Sequence, residues 1–411
     1  MARHANFYIS DAVMAEIVMR HSVLNQHSPV LLDISSFNVQ DAINMTDGKF
    51  RWMRLIIFLI AIILSGCTQH FSPAVPMPTI GLEGDTVITR IALGSCFHPS
   101  RNSDIFDEIT AQNPDVFLFL GDNVYSADES FDLELNSLRA AYFDLAQVES
   151  FQTLRSSIPM MVIWDDHDFG KDDAGGDWSN KNFSESLYQH VWAIDDEDPR
   201  TQLPGVYLQE TIGPEGQQVQ IIMLDVRFFR TPLTRNPDQN VGRYTPSQDP
   251  NQNMLGDAQW QWFKEQLEKP ADVRVIVTPI QLIADGHYWE AWRMMPKERQ
   301  RFYDLLAETR PNGAIIVSGD RHSAAMYKLE GILPYPLYEL TTSSLNVPLT
   351  LMVKDPQDEP GPHRLFAPFY ESNYALIDID WDKNRVTLQI LDEKSRRINL
   401  QTISLGELNP N

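Results

Sequence analysis

Short apolar runs that end in polar, reactive residues recur along this chain and constrain its fold more than any other feature. Strand-like runs are predicted over residues 87–93, 115–120, 159–164, 219–224, 273–278 and 313–318. Helical patterns alternate with them, over residues 104–112, 131–156 and 257–267. Five of the runs deliver a thiol or carboxylate within three residues of their end: Cys96, Asp122, Asp165, Asp225 and Asp320. The alternation predicts an α/β fold whose functional site lies beyond the carboxyl ends of the strands.

The C-terminal part of the chain has a different pattern. Residues 374–381 and 385–391 alternate apolar and polar side chains on either side of a turn at 382–384. This pattern predicts an antiparallel β-hairpin that extends the sheet and carries structure rather than chemistry.

An apolar segment near the N-terminus predicts export. Residues 55–64 are ten consecutive apolar residues, preceded by Lys49, Arg51 and Arg54 and followed by a Ser-Gly-Cys sequence that ends at Cys67. A membrane-spanning helix needs about 20 apolar residues, so a signal peptide over residues 53–67 fits better. Leu-Ser-Gly-Cys resembles the bacterial lipobox, which predicts lipidation of Cys67 and a membrane-anchored lipoprotein facing the periplasm or the cell exterior. The alternative is a signal anchor in which Cys67 is incidental.

The remaining sequence divides around this signal. Residues 1–52 form an upstream extension without a recognisable motif, and Met45 or Met53 is the expected true start. Residues 68–86 are Pro-rich and predict a linker, and residues 87–411 form one catalytic domain. The chain has two cysteines; if Cys67 carries lipid and Cys96 binds metal, no disulfide forms despite the oxidising destination.

The net charge of −23 argues against nonspecific binding to nucleic acid, which depends on Lys and Arg neutralising phosphates. An anionic substrate must therefore be attracted locally, by metal ions or by individual arginines.

Three residues after the first two strands predict a metal site. Cys96 offers a thiolate, Asp122 a carboxylate and Tyr125 a phenolate, and this set suits one strongly Lewis-acidic ion such as ferric iron. Asp122 has two carboxylate oxygens and can bridge to a second ion. Alone, the Gly-Asp-x-x-Tyr pattern is weak, because Asp after Gly is common in turns.

An acidic segment follows the third strand. Residues 165–173 hold five carboxylates around His167, a composition that suits a hard cation such as calcium. The alternative is a solvated acidic loop.

After the last buried strand come Asp320 and His322, spaced so that both can turn toward one ion. A helix cap is the alternative for Asp320, although it leaves His322 unused. His287 lies in an aromatic-rich segment, where a substrate contact and simple loop packing are equally compatible with the sequence.

Taken together, six stretches in order resemble the alkaline phosphatase D family of metallophosphatases, from about residue 91 to residue 374. The stretches are Gly94-Ser-Cys96, Gly121-Asp-x-x-Tyr125, residues 164–170 with 173–175, Leu224-Asp-Val-Arg227, residues 255–260 and Gly319-Asp-x-His322.

The resemblance implies an αββα sandwich of the metallophosphoesterase (calcineurin-like) type that hydrolyses phosphate esters outside the cytoplasm with iron and calcium, other divalent metals being possible. Carried over by position, the implied metal ligands are Cys96, Asp122, Tyr125, Asp320 and His322, with Asp166 and Asp172 on the calcium side. His167 and Arg227 are implied to face the phosphate.

Two departures from the family pattern stand out. Many relatives have Asn where this chain has Asp172, which replaces a neutral ligand by an anionic one. The β-sandwich domain that precedes the catalytic domain in some members has no room between Cys67 and residue 87. The chain is similar to the compact subgroup of this family, whose members lack that N-terminal β-sandwich domain.

The predicted activity is hydrolysis of small-molecule phosphate esters, as a phosphomonoesterase, a phosphodiesterase or both. Two alternatives stay open. One is a phosphodiesterase acting on lipid or nucleotide diesters with the same metals. The other is a noncatalytic surface protein that binds metal or phosphate.

Overall fold

The computed structural model describes residues 74–126, 132, 134–238, 242–354, 356 and 359–409. The predicted upstream extension, the signal peptide and Cys67 lie outside these residues. Two six-stranded mixed sheets with flanking helices form an αββα sandwich, which confirms the predicted fold class.

The strands are, in chain order, β1 Arg90–Gly94, β2 Val116–Leu120, β3 Met160–Ile163, β4 Leu208–Ile212, β5 Val219–Met223, β6 Val273–Val277, β7 Ala314–Ser318, β8 Ala324–Leu329, β9 Leu337–Thr342, β10 Asn373–Asp380, β11 Arg385–Asp392 and β12 Arg397–Ser404. The α-helices are α1 Ile105–Ala111, α2 Asn136–Gln147, α3 Glu149–Ser157, α4 Asp166–Phe169, α5 Lys181–Val191, α6 Gly256–Leu267 and α7 Pro296–Thr309. The described part of the chain also contains short 3₁₀ helices at Pro199–Thr201, Trp292–Met294 and Leu349–Leu351.

The first sheet has the order β12-β11-β10-β1-β2-β3. Its β1, β2 and β3 are parallel, so their carboxyl ends share one edge. The C-terminal strands are antiparallel, and β10 pairs with β1 with Arg90 opposite Asp378. The predicted hairpin is therefore present and extends the sheet. It continues into β12, which the sequence analysis did not predict and whose side chains are mostly exposed or half-buried.

The second sheet has the order β4-β5-β6-β7-β9-β8. Its central strands β5, β6, β7 and β9 are parallel, while β4 and β8 pair antiparallel at the two edges. Every residue of β5, β6 and β7 is buried, as expected for parallel strands covered on both faces.

Helices cover both sheets through aromatic contacts. The ring of Phe106 of α1 packs edge-on against the ring of Phe117 of β2, and its centroid lies 5.2 Å from the ring centroid of Phe151 of α3. Beside the second sheet, the ring centroids of Phe263 of α6 and Phe302 of α7 lie 5.2 Å apart. These contacts anchor the helices and leave the carboxyl ends of the parallel strands free to form a site.

Residues 131–156 are predicted as a single helical segment, but the described part contains two helices, α2 and α3. Val148 separates them in an extended conformation, with φ −69° and ψ 111°. Its backbone N–H donates to the carbonyl of Leu145. The apolar pattern alone does not show this break, because both helices bury residues on one face.

The described part of the predicted linker, residues 74–86, packs against the domain. Met77 is fully buried, and its backbone N–H donates to the carbonyl of Val191 at 2.6 Å. Ile80 forms an isolated bridge with Pro159 at the start of β3. Within the described residues, no helix is both long and apolar enough to span a bilayer.

Candidate metal centre and active site

The carboxyl ends of strands from both sheets meet at one place. Cys96 follows β1 and Asp122 follows β2 in the first sheet, whereas His322 follows β7 in the second. The hydroxyl of Ser343, just after β9, lies 3.1 Å from the Cys96 sulfur and accepts from the backbone N–H of His322 at 2.8 Å. Ser343 thus contacts both Cys96, from the first sheet, and His322, from the second.

The backbone turns sharply where the predicted ligands stand. Cys96, Asp122, Asp320 and His322 all have positive φ, between 49° and 67°. Such conformations cost non-glycine residues about 1–3 kcal/mol and persist where the surrounding structure enforces them. Four of the seven predicted metal ligands share this feature, so the fold accepts local strain to aim these side chains.

Two glycines allow the strand ends to approach. Gly121 has φ +104°, and a Cβ there would lie 2.5 Å from the Cβ of Asp165. A Cβ at Gly319 would lie 2.7 Å from the hydroxyl oxygen of Ser95. Any larger residue at either position would force the strand ends apart.

Among the described residues, four overlapping groups of side chains have ligand atoms that lie within 4.8 Å of one another. Asp122 belongs to two of the groups and Asp166 to three, so these two carboxylates connect the whole centre. The groups are Cys96, Asp122 and His322; Asp122, Asp166 and His167; Asp165, Asp166 and Asp320; and Asp166, Asp173 and Glu290.

The first group is compact, with Cys96 and Asp122 buried and His322 partly buried. The Cys96 sulfur lies 3.5 Å from Oδ2 of Asp122, and the Tyr125 hydroxyl donates to the same oxygen at 2.9 Å. The Nδ1 atom of His322 lies 2.7 Å from the carbonyl of Val347, which leaves Nε2 for a ligand. The structure therefore brings together four of the predicted ligands: a thiol, a carboxylate, a phenol and an imidazole.

The electrostatics of this group fit a cation. Burial raises the pKa of the Cys96 thiol to about 11. Burial and the neighbouring Cys96 and Asp166 raise the pKa of Asp122 well above its usual value. Burial lowers the pKa of His322, which favours the neutral imidazole that binds metals. A bound cation would offset the cost of ionising the two acids, as expected for a metal site.

Asp320 and His322 do not face the same group. Asp320 lies with Asp165 and Asp166, whereas His322 lies with Cys96 and Asp122. Residues two apart in an extended strand point the same way, but positive φ at both positions breaks that alternation. Burial raises the pKa of Asp320 to about 7. Asp165 offers a buried Oδ2 atom without a hydrogen-bond partner, so this second group also fits a cation.

The carboxylates of the acidic segment 165–173 make different kinds of contact. Asp165 and Asp168 form a capping box on α4, and Asp168 accepts from the backbone N–H of Asp165 at 2.6 Å. Asp168 also accepts from the backbone N–H of Asn123, so its role is structural. Burial opposes ionisation of Asp166, but His167 and Arg227 hold its pKa below the usual range.

Asp172 and Asp173 are oriented differently. The Asp172 side chain is 40% exposed and pairs with Arg243 at 2.7 Å. Asp173 is less exposed, accepts from Arg243 and Tyr244, and lies with Asp166 and Glu290. In the described structure Asp172 belongs to none of the four groups, and its part in calcium binding stays a prediction.

Arg227 is fully buried between carboxylates. Its guanidinium contacts Oδ1 of Asp165 through Nη2 at 2.5 Å and Oε2 of Glu290 through Nη1 at 2.7 Å. Burial disfavours the cation, but Asp165 and Glu290 hold the pKa of Arg227 above its usual value. Arg230 adds a second guanidinium, 3.2 Å from Glu290. A contact between Arg227 and phosphate stays a prediction.

His167 lies where protein meets solvent. Its side chain is 25% exposed, and its ring lies 4.3 Å from that of Tyr125. The His167 backbone N–H donates to Asp122 at 3.3 Å and to Asp166 at 3.0 Å. An imidazole nitrogen of His167 lies within 4.8 Å of carboxylate oxygens of Asp122 and Asp166, and a contact of His167 with the phosphate stays a prediction.

The segment around His287 separates its aromatic residues. His287 is 5% exposed, and its Nδ1 accepts from the backbone N–H of Trp289 at 3.3 Å, whereas the Trp289 side chain is 41% exposed. Glu290 is buried with Arg227, and Trp292 is fully buried. His287 is therefore buried, with its Nε2 atom lacking a hydrogen-bond partner, and the exposed position belongs to Trp289.

Two of the matched stretches are structural. The Asp225 backbone N–H donates to the Gln259 side chain at 2.8 Å, and Gln259 returns a bond to the Asp225 carbonyl at 2.9 Å. Oδ1 of Asp225 accepts from the Arg227 backbone N–H, which fixes the turn that carries the arginine. The Trp260 indole donates to Glu298 at 2.9 Å.

The sequence did not identify Glu290 or Ser343 as members of the centre, and it placed Asp165 and Asp173 only within the acidic segment, without assigning them as ligands. Asp165 and Asp173 lie in the acidic segment, where no local signal separates ligands from caps and ion pairs. Glu290 and Ser343 lie in irregular segments, so only tertiary contacts identify them.

Comparisons with known proteins identify the family and the fold. The family model described as PhoD-like phosphatase matches residues 91–366. A solved structure described as the structure of PhoD is similar, with a TM-score of 0.60 at 16% identity over 80% of this chain and 75% of that chain. No curated protein matches the chain.

Two other similar structures have much lower TM-scores. Vps29 from Chaetomium thermophilum has a TM-score of 0.30 at 9% identity, over 77% of this chain and 97% of that chain. A 5'-nucleotidase precursor from Thermus thermophilus has 0.31 at 14% identity, over 76% of this chain and 53% of that chain. The family match, which spans more than half of the chain, carries the conclusion: the chain belongs to the PhoD-like phosphatase family and is a phosphoric ester hydrolase.

Proposed function

We propose that this chain is an exported, lipid-anchored enzyme that hydrolyses phosphate esters with metal-activated water at the cell envelope. The observation that supports it best is the buried group of Cys96, Asp122 and His322, with Tyr125 in contact, at the joint edge of two sheets. Its acidic members have no Lys or Arg partner within 4.0 Å among the described residues.

The donor chemistry suggests two kinds of ion. A thiolate, a phenolate, a carboxylate and an imidazole suit iron, so Cys96, Asp122, Tyr125 and His322 would hold it. Carboxylates suit calcium or another hard divalent ion, so Asp166 and Asp320 would hold that ion, with Asp165 adjacent. Bound cations supply Lewis-acid activation of water and neutralise phosphoryl charge.

The protein groups around the centre bind and orient the substrate. His167 is half-buried beside Asp122 and Asp166 and can donate a proton to the departing alkoxide oxygen. Arg227 fixes Asp165 and Glu290 in place through its ion pairs. Burial of these charges strengthens each electrostatic contact that they make.

The first experiment compares hydrolysis of p-nitrophenyl phosphate and bis-p-nitrophenyl phosphate by the purified, metal-loaded full chain, with and without a chelator. We expect turnover that the chelator abolishes, and the ratio of the two rates distinguishes a monoesterase from a diesterase. Metal binding without turnover of either ester would favour the noncatalytic alternative.

Substitutions test the assignment of residues. We expect Cys96→Ala and Asp320→Ala each to abolish turnover while leaving a folded protein. Asp257→Ala is a matched control, because its side chain is 99% exposed and belongs to none of the four groups of candidate ligands. Full activity in either site variant would contradict the assignment.

Export is tested separately by mass spectrometry of the membrane fraction. A lipid-modified N-terminus at Cys67 is the expected result. An intact N-terminus ahead of Cys67 would contradict the lipoprotein and favour a signal anchor.

A further inference from the structure

Several exposed apolar side chains lie in segments attached to the turn that carries two of the predicted metal ligands. Nine large hydrophobic residues are well exposed in the described structure, and four of them lie in two segments attached to the turn that carries Asp320 and His322. We call these four the apolar rim: Trp289 at 41% exposure, Leu351 at 60%, Met352 at 55% and Val353 at 45%. Single exposed hydrophobics are ordinary, but a cluster at a site needs a physical reason.

The first segment is fastened to His322. The backbone N–H of Leu349 donates to the His322 carbonyl at 2.8 Å, and the His322 ring contacts the Val347 carbonyl at 2.7 Å. The 3₁₀ helix Leu349–Leu351 therefore begins directly behind a predicted metal ligand. Leu351, Met352 and Val353 project from its end into solvent.

The second segment is fastened to the same turn from the other side. The Arg321 guanidinium lies 5.9 Å from the Trp289 ring centroid, and Arg321 stands between Asp320 and His322. Arg243, which pairs with Asp172, lies 5.8 Å from the same ring. Trp289 is thus held at the rim of the centre by two cation–π contacts.

Packing does not explain the exposure of Trp289. Trp292 lies three residues further along the same segment, is fully buried, and donates from its indole to Thr278 at 2.7 Å. The intervening Glu290 is buried against Arg227 at 2.7 Å. The segment therefore buries one indole for stability and leaves the other in solvent, where it provides a rigid apolar surface.

We propose that the apolar rim binds an apolar organic group of the substrate, an alkyl or aryl group esterified to the phosphate that the metal centre cleaves. The proposal rests on the proposed phosphoesterase function and narrows its substrate class to phosphate esters with an apolar substituent.

The test uses the purified full chain and a series of p-nitrophenyl phosphodiesters whose second group is methyl, butyl or hexyl, each below its micellar concentration. We expect kcat/KM to rise at least about tenfold from methyl to hexyl, because burying methylene groups favours binding. We expect the hexyl-to-methyl ratio to fall toward one in Trp289→Ala and in the double variant Leu351→Ser/Met352→Ser. Leu203→Ser is the control, because Leu203 is 44% exposed but lies outside both segments, and it should keep the wild-type ratio.

Calorimetry of hexyl phosphate and methyl phosphate binding gives a readout that needs no turnover. Tighter binding of hexyl phosphate, lost in the rim variants, would support the rim even if the diesters are not hydrolysed, whereas absence of chelator-sensitive turnover would count only against the proposed function. Equal binding of both probes, a flat kinetic series, or an unchanged ratio in the rim variants would overturn the proposal. If the ratio is flat but neutral phosphatidylcholine vesicles retain the wild type more than Leu351→Ser/Met352→Ser, the rim contacts a bilayer and the proposal is wrong.

Discussion

Two buried polar clusters lie side by side in this protein and are neutralised in different ways. The thiol–carboxylate cluster spans two of the ligand groups: Cys96, Asp122 and His322 from the first, and Asp320 from the group that also contains Asp166. The arginine cluster consists of Arg227, Arg230, Asp165 and Glu290. They adjoin, since ligand atoms of Asp165 and Asp320 lie within 4.8 Å of each other.

The arginine cluster contains its own cations. Arg227 contacts Asp165 at 2.5 Å and Glu290 at 2.7 Å, and Arg230 contacts Glu290 at 3.2 Å. In the thiol–carboxylate cluster, neither Asp122 nor Asp320 has a Lys or Arg within 4.0 Å among the described residues. Buried charge is costly unless it is paired or binds a metal. The comparison teaches that one cluster is a self-sufficient frame, while the other depends on a cation from outside the chain.

The largest expected effect is on activity in the thiol–carboxylate cluster. Asp122→Asn removes a charge that connects two groups of ligands, and we expect kcat to fall about 10⁴-fold, because metal catalysis contributes several kcal/mol and each 1.36 kcal/mol is tenfold. Steady-state kinetics with saturating metal measures the loss. In metal-free protein the same variant should be at least as stable as the wild type, because Asn removes repulsion from Asp166; a large loss of stability there would contradict the comparison.

The next largest effect is on stability in the arginine cluster. Arg227→Met leaves Asp165 and Glu290 buried without their cation, and breaking a buried ion pair costs about 3–5 kcal/mol. Denaturant unfolding measures this free energy. Arg385→Met, on an exposed arginine, is the control. If Arg227→Met is as stable as that control, the arginine cluster is not the frame that we describe.

Metal removal should have a smaller effect on stability. At a metal concentration about 100-fold above Kd, binding contributes about 2.7 kcal/mol, so a chelator should lower the Tm of the wild type. The Tm of Asp122→Asn should respond much less, because its site is impaired. Equal shifts in both proteins would place the stabilising ion elsewhere.

The smallest effect is expected at Asp172. Because its carboxylate is 40% exposed and pairs with Arg243, Asp172→Asn should change kcat/KM less than tenfold, since exposed ion pairs contribute about 0–1 kcal/mol. Asp173→Asn is the matched variant and should cost more, because Asp173 lies with Asp166 and Glu290. The reverse order would support Asp172 as the calcium ligand that the sequence predicts.

Local sequence patterns predicted much of this architecture. The buried strands β2, β5, β6 and β7 were predicted from apolar runs that are too short and too apolar for surface helices. The reactive residues after the strands were predicted because ligand sites in α/β sheets lie beyond the carboxyl ends of the strands. The break at Val148 and the edge strand β12 were not predicted, because both helices at the break bury residues on one face and the side chains of β12 are mostly exposed or half-buried.

The sequence by itself determined the class of fold, the family and the residue types at the strand ends, because apolar periodicity and short motifs are local properties. Only the tertiary structure decided how the carboxylates divide between metal ligands, helix caps and arginine partners. Asp165, Asp166 and Asp168 are chemically identical and close in sequence, yet they contact Arg227, the metal centre and Asn123 respectively. That division depends on which charged side chains of other strands and loops contact each carboxylate, and the local sequence does not contain this information.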